Sequence, residues 1–307
     1  MNLSGKKVLI VGVNGFIGTK LMEAALRSSA DVVGLDNFSY SDRSHIERRK
    51  KDITLVAGDV SDYASFKGIG DVDLIFHFGA PSSIVLFNKT LERCYRETVL
   101  GQLNVFRFAR EMGVGKVVYP STGSLYGGNQ KPHSEGVYPK PLNSYGAAKL
   151  ACEGIASCYS PFVKSTGLRI FAGYGPGEER KNEFASVVCL FLRDMMNGKP
   201  PIIFGDGKQT RDFVFIDDVA KAILKAADAS APIINVGTGI PTSFLDIIEE
   251  VNGILDRPVE PVFVKKDAAY VENLAADTRL MKEQLGVETI PLRDGIARFA
   301  EHLGSVK

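Results

Sequence analysis

The run Val8-Leu9-Ile10-Val11-Gly12-Val13-Asn14-Gly15-Phe16-Ile17-Gly18 decides how this chain is read. Four consecutive apolar residues suit a parallel strand buried on both faces. The following Thr19-Lys20-Leu21-Met22-Glu23-Ala24-Ala25-Leu26 carries its apolar side chains at helical spacing. The glycines therefore fall at a strand-to-helix turn. There Gly12 permits the tight turn. Gly15 lets backbone N–H groups approach a diphosphate at the helix N-terminus, with Phe16 and Ile17 counted among the contacts, and Gly18 lets the helix pack close to the sheet.

The next strand, Asp31-Val32-Val33-Gly34-Leu35-Asp36, ends in a carboxylate placed to hydrogen-bond adenosine ribose hydroxyls. A carboxylate there repels a 2′-phosphate, which favours NAD over NADP. Arg43 and the run Arg48-Arg49-Lys50-Lys51 would supply opposing positive charge, or form a solvated helix face. A third strand, Ile53 to Gly58, leads into Asp59-Val60, where the acid reads as a helix cap. Val72 to Phe78 reads as strand four, running into Gly79-Ala80, small residues that would let a nicotinamide lie against backbone. His77 finishes a buried strand and reads as structural rather than catalytic. A long helix is expected from Thr90 to Arg110, with Leu91, Val99, Leu103, Phe106 and Ala109 on its apolar face.

Val117-Val118-Tyr119 makes strand five, and Pro120-Ser121-Thr122-Gly123-Ser124-Leu125-Tyr126-Gly127 places hydroxyls at its C-terminal end. Downstream, Tyr145 and Lys149 open a helix expected over 146–159 and lie on one face of it. Tyrosine's reference pKa near 10 is high for a neutral-pH base, but a neighbouring ammonium and an oxidised nicotinamide both favour phenolate. A shift of about 3 units corresponds to about 4 kcal/mol.

Composition bounds the rest. With 307 residues, 45% of them hydrophobic, and a formal net charge of +1, the chain is long enough for two lobes and offers no basic domain for nucleic acid. No apolar run approaches the roughly 20 residues that span a bilayer. The first strand begins within a few residues of Met1, which leaves no room for a signal peptide ahead of it. Cys94, Cys152, Cys158 and Cys189 form no Cys-x-x-Cys pair, so zinc is not expected; they read as reduced core thiols of a cytoplasmic protein.

Taken in order, Gly12/Gly15/Gly18, Asp36, Asp59, Ser121 to Gly127, Tyr145/Lys149, Tyr174-Gly175-Pro176 and Phe204-Gly205-Asp206-Gly207-Lys208-Gln209-Thr210-Arg211-Asp212-Phe213 resemble the nucleotide-sugar epimerase/dehydratase branch of the extended short-chain dehydrogenases. The resemblance covers nearly the whole chain. It implies an α/β fold, a Rossmann-like doubly wound parallel sheet with a smaller α/β substrate-binding lobe. The dinucleotide lobe would take residues 1–171 and about 212–236, and the substrate lobe about 172–211 and 237–307. It implies adenine contacts from Asp59 and Val60, further cofactor contacts from Asn37, Phe78, Gly79, Ala80, Thr98 and Phe171, and substrate contacts from Ser82, Thr122, Ser124 and Tyr145. Arg211 would hold the substrate diphosphate, for which a guanidinium fork is apt, although a structural arginine beside a turn also fits. It also implies a homodimer through the helices around 90–110 and 150–159, faces that core packing explains equally well.

This chain departs from the pattern in three places. Ala172 stands where typical epimerases have a substrate-binding asparagine. No second arginine precedes Ala276-Asp277, the stretch reading Lys265-Lys266-Asp267-Ala268-Ala269-Tyr270. Gly123-Ser124 replaces the Asp-Glu pair of the dehydratases, so no carboxylate follows Thr122 for elimination. The expectation is an NAD-dependent nucleoside-diphosphate-sugar 4-epimerase, UDP-glucose/UDP-galactose leading. Tyr145 would be the base, Thr122 and Ser124 would assist at C4, and Lys149 would bind the nicotinamide ribose and lower the tyrosine pKa. A keto-reductase, a dehydratase or a catalytically silent NAD-binding regulatory protein are the alternatives.

Overall fold

The apolar run ahead of the glycines becomes the centre of a parallel sheet in the computed structural model, which describes residues 3–127, 131–265 and 273–305. Strand β1 (Lys7–Val11) is extended on one side by β2 (Asp31–Asp36) and β3 (Thr54–Ala57), and on the other by β4 (Leu74–His77), β5 (Lys116–Thr122) and β6 (Ser165–Ile170). Three short strands follow: β7 (Ala172–Tyr174), β8 (Ile202–Phe204) and β9 (Thr210–Phe215). Then β10 (Ile233–Val236) returns to the edge beside β6, giving seven parallel strands in the order β10-β6-β5-β4-β1-β2-β3. The order reverses direction at β1, and the crevice above that switch point is where a doubly wound sheet binds its ligand. The expected fold class is borne out.

Helices cover both faces. They are α1 (Phe16–Arg27), the single turn α2 (Ser44–Glu47), α3 (Ile84–Lys89), α4 (Leu91–Tyr95), α5 (Gly101–Glu111), α6 (Ser144–Tyr159), α7 (Val187–Met196), α8 (Ile216–Ala226), α9 (Phe244–Leu255), α10 (Arg279–Leu285) and α11 (Leu292–Ser305). Alternate strand residues serve opposite cores. Val8, Ile10, Val32 and Phe76 pack with Leu21, Met22 and Ala25 of α1, whereas Leu9, Val11, Val33 and Ile75 pack with Val105, Phe106 and Ala109 of α5. Each of these side chains larger than alanine contributes roughly 1.5–3 kcal/mol on full burial. The first core continues without a break into Phe191 and Leu192 of α7, Phe244 and Ile247 of α9, and Phe299 of α11, so the two lobes share it.

The single helix expected over Thr90 to Arg110 is instead α4, a wider π turn at Arg96–Leu100, and α5. The extra residue shifts the phase of the apolar pattern. Glu97 and Thr98 turn inward, while Leu91 and Leu103 face solvent and Phe106 and Ala109 stay in the core. Helix α6 begins before its expected start because the Asn143 side chain accepts from the Gly146 N–H at 2.8 Å and caps it. Tyr145 thus stands in the first turn.

The second lobe is built on a three-stranded sheet, in which β9 lies between β7 and β11 (Pro241–Ser243), and on the pair of β8 with β12 (Val262–Val264). Buried Asp212 in β9 accepts from Thr238 N–H at 2.6 Å, Thr238 Oγ1 at 2.7 Å, Gly239 N–H at 2.8 Å and Ala276 N–H at 3.0 Å. One carboxylate therefore pins three distant segments together, and half of the Arg211-Asp212 pair is architectural. Helix α10 packs on α8 and β10 of the first lobe.

Candidate active site

The described residues enclose a cavity of about 540 Å³ along the C-terminal ends of β1, β2, β4 and β5, within the range of cofactor pockets. At one end the glycine turn is packed too tightly for side chains. Gly12 has φ +81°, and a Cβ there would lie 2.5 Å from the Gly79 Cα; one on Gly18 would collide with the Gly12 carbonyl oxygen. Gly18 thus lets the helix close on the turn itself. Gly15 is the N-cap of α1 in extended backbone, and Phe16 and Ile17 follow it along the cavity wall.

Asp36 ends β2 in the same wall. Its carboxylate accepts from Phe38 N–H at 2.7 Å and Asn14 N–H at 2.9 Å. Burial pushes its carboxyl above the usual range, and those two N–H bonds oppose the rise. Asn37, Val60, Phe78, Gly79, Ala80, Ser82 and Phe171 all line the cavity. Asp59 does not. It accepts from Ser61 N–H at 2.8 Å, Ser61 Oγ at 2.7 Å and the Asn37 amide at 3.0 Å, and so acts through Asn37. Burial would raise its pKa, but these donors outweigh it and hold the carboxyl low.

At the other end stand Thr122, Tyr145 and Lys149, brought together by the end of β5 and the first turns of α6. The Tyr145 ring meets the Phe87 ring edge-on at 5.5 Å. Burial pushes its phenol up to about 12, and a hydrogen bond with Thr122 opposes the rise. Within the protein, the opposition to that rise comes from Thr122. Lys149 is 3% exposed and donates to no described residue. Burial lowers its pKa. His77 is buried beneath, pushed down to about 3 by burial and then by the Lys149 charge, which keeps it neutral.

Four expected site residues lie outside the cavity wall. Ser124 donates its backbone N–H to Thr122 Oγ1 at 3.1 Å, and it is this hydroxyl, not that of Ser124, that reaches the cavity. Thr98 is buried in the π turn behind α6. Arg211 donates to the Thr210 carbonyl at 2.8 Å and lies over the Phe244 ring, on the β9–β11 side of its lobe. Asp59, as above, is one hydrogen bond removed. Ala172 pairs with Phe213 in β7 and leaves Gly173 as the wall residue. Lys266 and the residues up to Glu272 lie outside the described residues.

The structure adds wall residues that sequence reasoning missed. A strap at Glu178–Phe184 brings Arg180, Lys181, Asn182, Glu183 and Phe184 to the cavity. Glu183 meets Lys89 of α3 at 2.7 Å, bridging the lobes. Asn182 adopts φ +52°, ψ −118°, a region that favours glycine. Glu97 also reaches the wall, hydrogen-bonded by Tyr40 and paired with Arg93 at 2.7 Å. The only signal for the strap was a dense charge run after Tyr174-Gly175-Pro176, a pattern that ordinarily marks a solvated face.

A glycine turn at the end of the first parallel strand, with a Tyr-x-x-x-Lys helix facing it across one cavity, defines a dinucleotide-dependent enzyme of the short-chain dehydrogenase class. The family model for the NAD dependent epimerase/dehydratase family matches residues 8–237, and the chain belongs to that family. A UDP-glucose 4-epimerase of Mycolicibacterium smegmatis is 31% identical, covering 96% of this chain and 97% of its own. The structure of a UDP-glucose 4-epimerase from Thermotoga maritima with UDP-glucose superposes with a TM-score of 0.93 at 27% identity, over 98% of this chain and 99% of that one. A Bacillus cereus UDP-glucuronic acid 4-epimerase, solved with UDP-glucuronic acid and NAD, gives 0.88 at 26%, over 98% and 100%. The family cofactor is NAD, and the wall fits it: a turn where Cβ atoms on Gly12 and Gly18 would collide with backbone, the Asp36 carboxylate in the same wall, and the buried Lys149 ammonium.

Proposed function

We propose that this protein interconverts nucleoside-diphosphate sugars at C4 through a 4-keto intermediate, with UDP-glucose and UDP-galactose as the leading pair. The observation that carries the reading is the placement of Thr122, Tyr145 and Lys149 in one wall, with Gly123-Ser124 rather than a carboxylate pair following Thr122 in the sequence. Tyr145 Oη takes the C4 hydroxyl proton and returns it, and Thr122 Oγ1 hydrogen-bonds the same oxygen. NAD, when bound, supplies the hydride acceptor and donor. Lys149 holds the nicotinamide ribose, and Asp36 the adenosine ribose. The relatives' UDP-sugars make UDP the base to try first.

A panel of UDP-glucose, UDP-galactose, UDP-glucuronate and UDP-N-acetylglucosamine, followed by NMR, tests this. Interconversion at C4 with catalytic NAD is expected. Stoichiometric NADPH consumption would make the protein a reductase, and loss of water from the sugar a dehydratase.

The lobes are taken as 1–171 with about 212–236, and about 172–211 with 237–307, while β9 stays with the second sheet. We further assign a homodimer, supported by exposed Leu91, Leu100 and Leu103 beside the small outward residues Ala151 and Gly154 of α6. Light scattering at twice the chain mass is the expected result. Buried free thiols at Cys94, Cys152 and Cys189 favour a cytoplasmic setting, although Cys158 is exposed rather than in the core. No helix among the described residues is long and apolar enough to cross a membrane.

A further inference from the structure

Three cations stand in the cavity wall, and they are not alike. Lys181 is paired with Glu178 at 3.4 Å. Lys149 is spoken for by the nicotinamide ribose. Arg180 meets no carboxylate among the described residues. Its Nε donates to the Gly177 carbonyl at 3.3 Å, Nη1 to the Asn14 carbonyl at 3.4 Å and Nη2 to Thr19 Oγ1 at 3.0 Å. All three acceptors are uncharged. Glu179, Asp42 and Glu23 act on it only from beyond ion-pair distance, and a partly buried guanidinium without a direct ion pair is costly, because charges withdrawn from water are ordinarily paired. Burial accordingly lowers its pKa.

The position of this charge is specific. Asn14 belongs to the glycine turn and Thr19 to the first turn of α1, so the guanidinium spans the helix N-terminus where backbone N–H groups already favour an anion. Three of its five N–H groups are used, leaving two for a ligand. The arginine itself comes from the other lobe, on a strap whose Asn182 is held in a backbone region costing of order 1–3 kcal/mol for a non-glycine residue.

We infer that Arg180 is a cofactor-binding residue, which reaches from the substrate lobe to clamp the dinucleotide's diphosphate against the N-terminus of α1. The inference rests on the dinucleotide lying on the glycine turn. Its consequence is that cofactor retention and the seating of the substrate lobe are one event.

The test is calorimetry on the full chain with two probes, ADP-ribose, which carries the diphosphate, and adenosine, which does not. Arg180→Ala should weaken ADP-ribose about tenfold or more and adenosine less than twofold. Arg180→Lys keeps charge and bulk but loses the fork. It should fold as the parent does and weaken ADP-ribose by an intermediate factor. ADP-ribose affinity unchanged in both variants overturns the clamp. Equal loss for both probes also overturns it, because it makes Arg180 a tether that merely shapes the turn. Failure of the parent protein to bind ADP-ribose would instead remove the cradle on which the clamp depends. As a second readout, ADP-ribose should slow amide exchange over 178–184 in the parent and not in Arg180→Ala; no slowing in the parent would overturn the link between lobes.

Discussion

The two ends of the cavity are built by different means. The dinucleotide end is backbone: the turn at Gly12 to Gly18, the N-terminus of α1, and a carboxylate positioned by the N–H groups of Asn14 and Phe38. The other end is side chains drawn from β5, α3 and α6, with Phe87 packed edge-on against Tyr145. A backbone site tolerates few residue types, whereas a side-chain site is assembled by packing. The first therefore leaves a compact mark in sequence and the second does not.

The largest expected effect falls on the side-chain end. Tyr145→Phe keeps the ring against Phe87 and removes the ionisable oxygen, so turnover should fall at least about a hundredfold with NAD binding intact. Turnover near normal in steady-state assays would break the assignment. At the backbone end, the Asp36 carboxylate should favour NAD over NADP by roughly 1–3 kcal/mol, the scale of one charge-assisted hydrogen bond. Asp36→Asn should shrink that gap, read as the ratio of the two dissociation constants. Equal affinities in the parent would show that Arg43, stacked over Phe38 at 4.1 Å, had overridden the carboxylate.

Arg211→Lys asks whether the ends are separable. If Arg211 holds the substrate diphosphate as the family resemblance implies, the nucleotide-sugar dissociation constant should rise about tenfold while thermal stabilisation by NAD stays put. Loss of folded protein with unchanged sugar affinity would make it structural, in keeping with its contacts to Thr210 and Phe244.

Thr122→Val sharpens the chemistry. Burial raises the Tyr145 pKa and Thr122 opposes it, so losing the hydroxyl raises it further. The base must be deprotonated, and the acidic limb of the kcat/KM profile should therefore move to higher pH; movement to lower pH would refute the role. The smallest effect belongs to the strap. Asn182→Gly relieves backbone strain at the expense of chain entropy, for a net gain of about 1 kcal/mol. Differential scanning calorimetry should show Tm rising by about 1–2 °C.

What could be read from sequence follows the same division. The seven-stranded core was legible because β1, β4 and β5 are apolar runs ending in glycine or hydroxyl residues, and a parallel strand buried on both faces has few other spellings. Tyr145 and Lys149 were legible by their spacing and their place after β5. The π turn was not, because one inserted residue changes the facing of Glu97 and Thr98 without altering composition. The strap was not either: Arg180 looks like a solvated charge until tertiary packing sets it against Asn14 and Thr19. Asp212 and Arg211 are adjacent in one motif, yet the acid is an architectural pin, and adjacency gave no means of separating the two roles.

The strand order also carries a timetable. The first strand made by the ribosome, β1, ends up in the middle of the sheet, and later strands add outward on both sides of it. Gly79, which packs against Gly12, is made only after β4, and the strap that brings Arg180 over the turn comes later still, after β7. A nascent chain that has completed β5 already holds most of the dinucleotide cradle but neither the Tyr145 helix nor the roof. Tyr145 and Lys149 therefore join the site only after the glycine turn, Asp36 and Thr122 have been made.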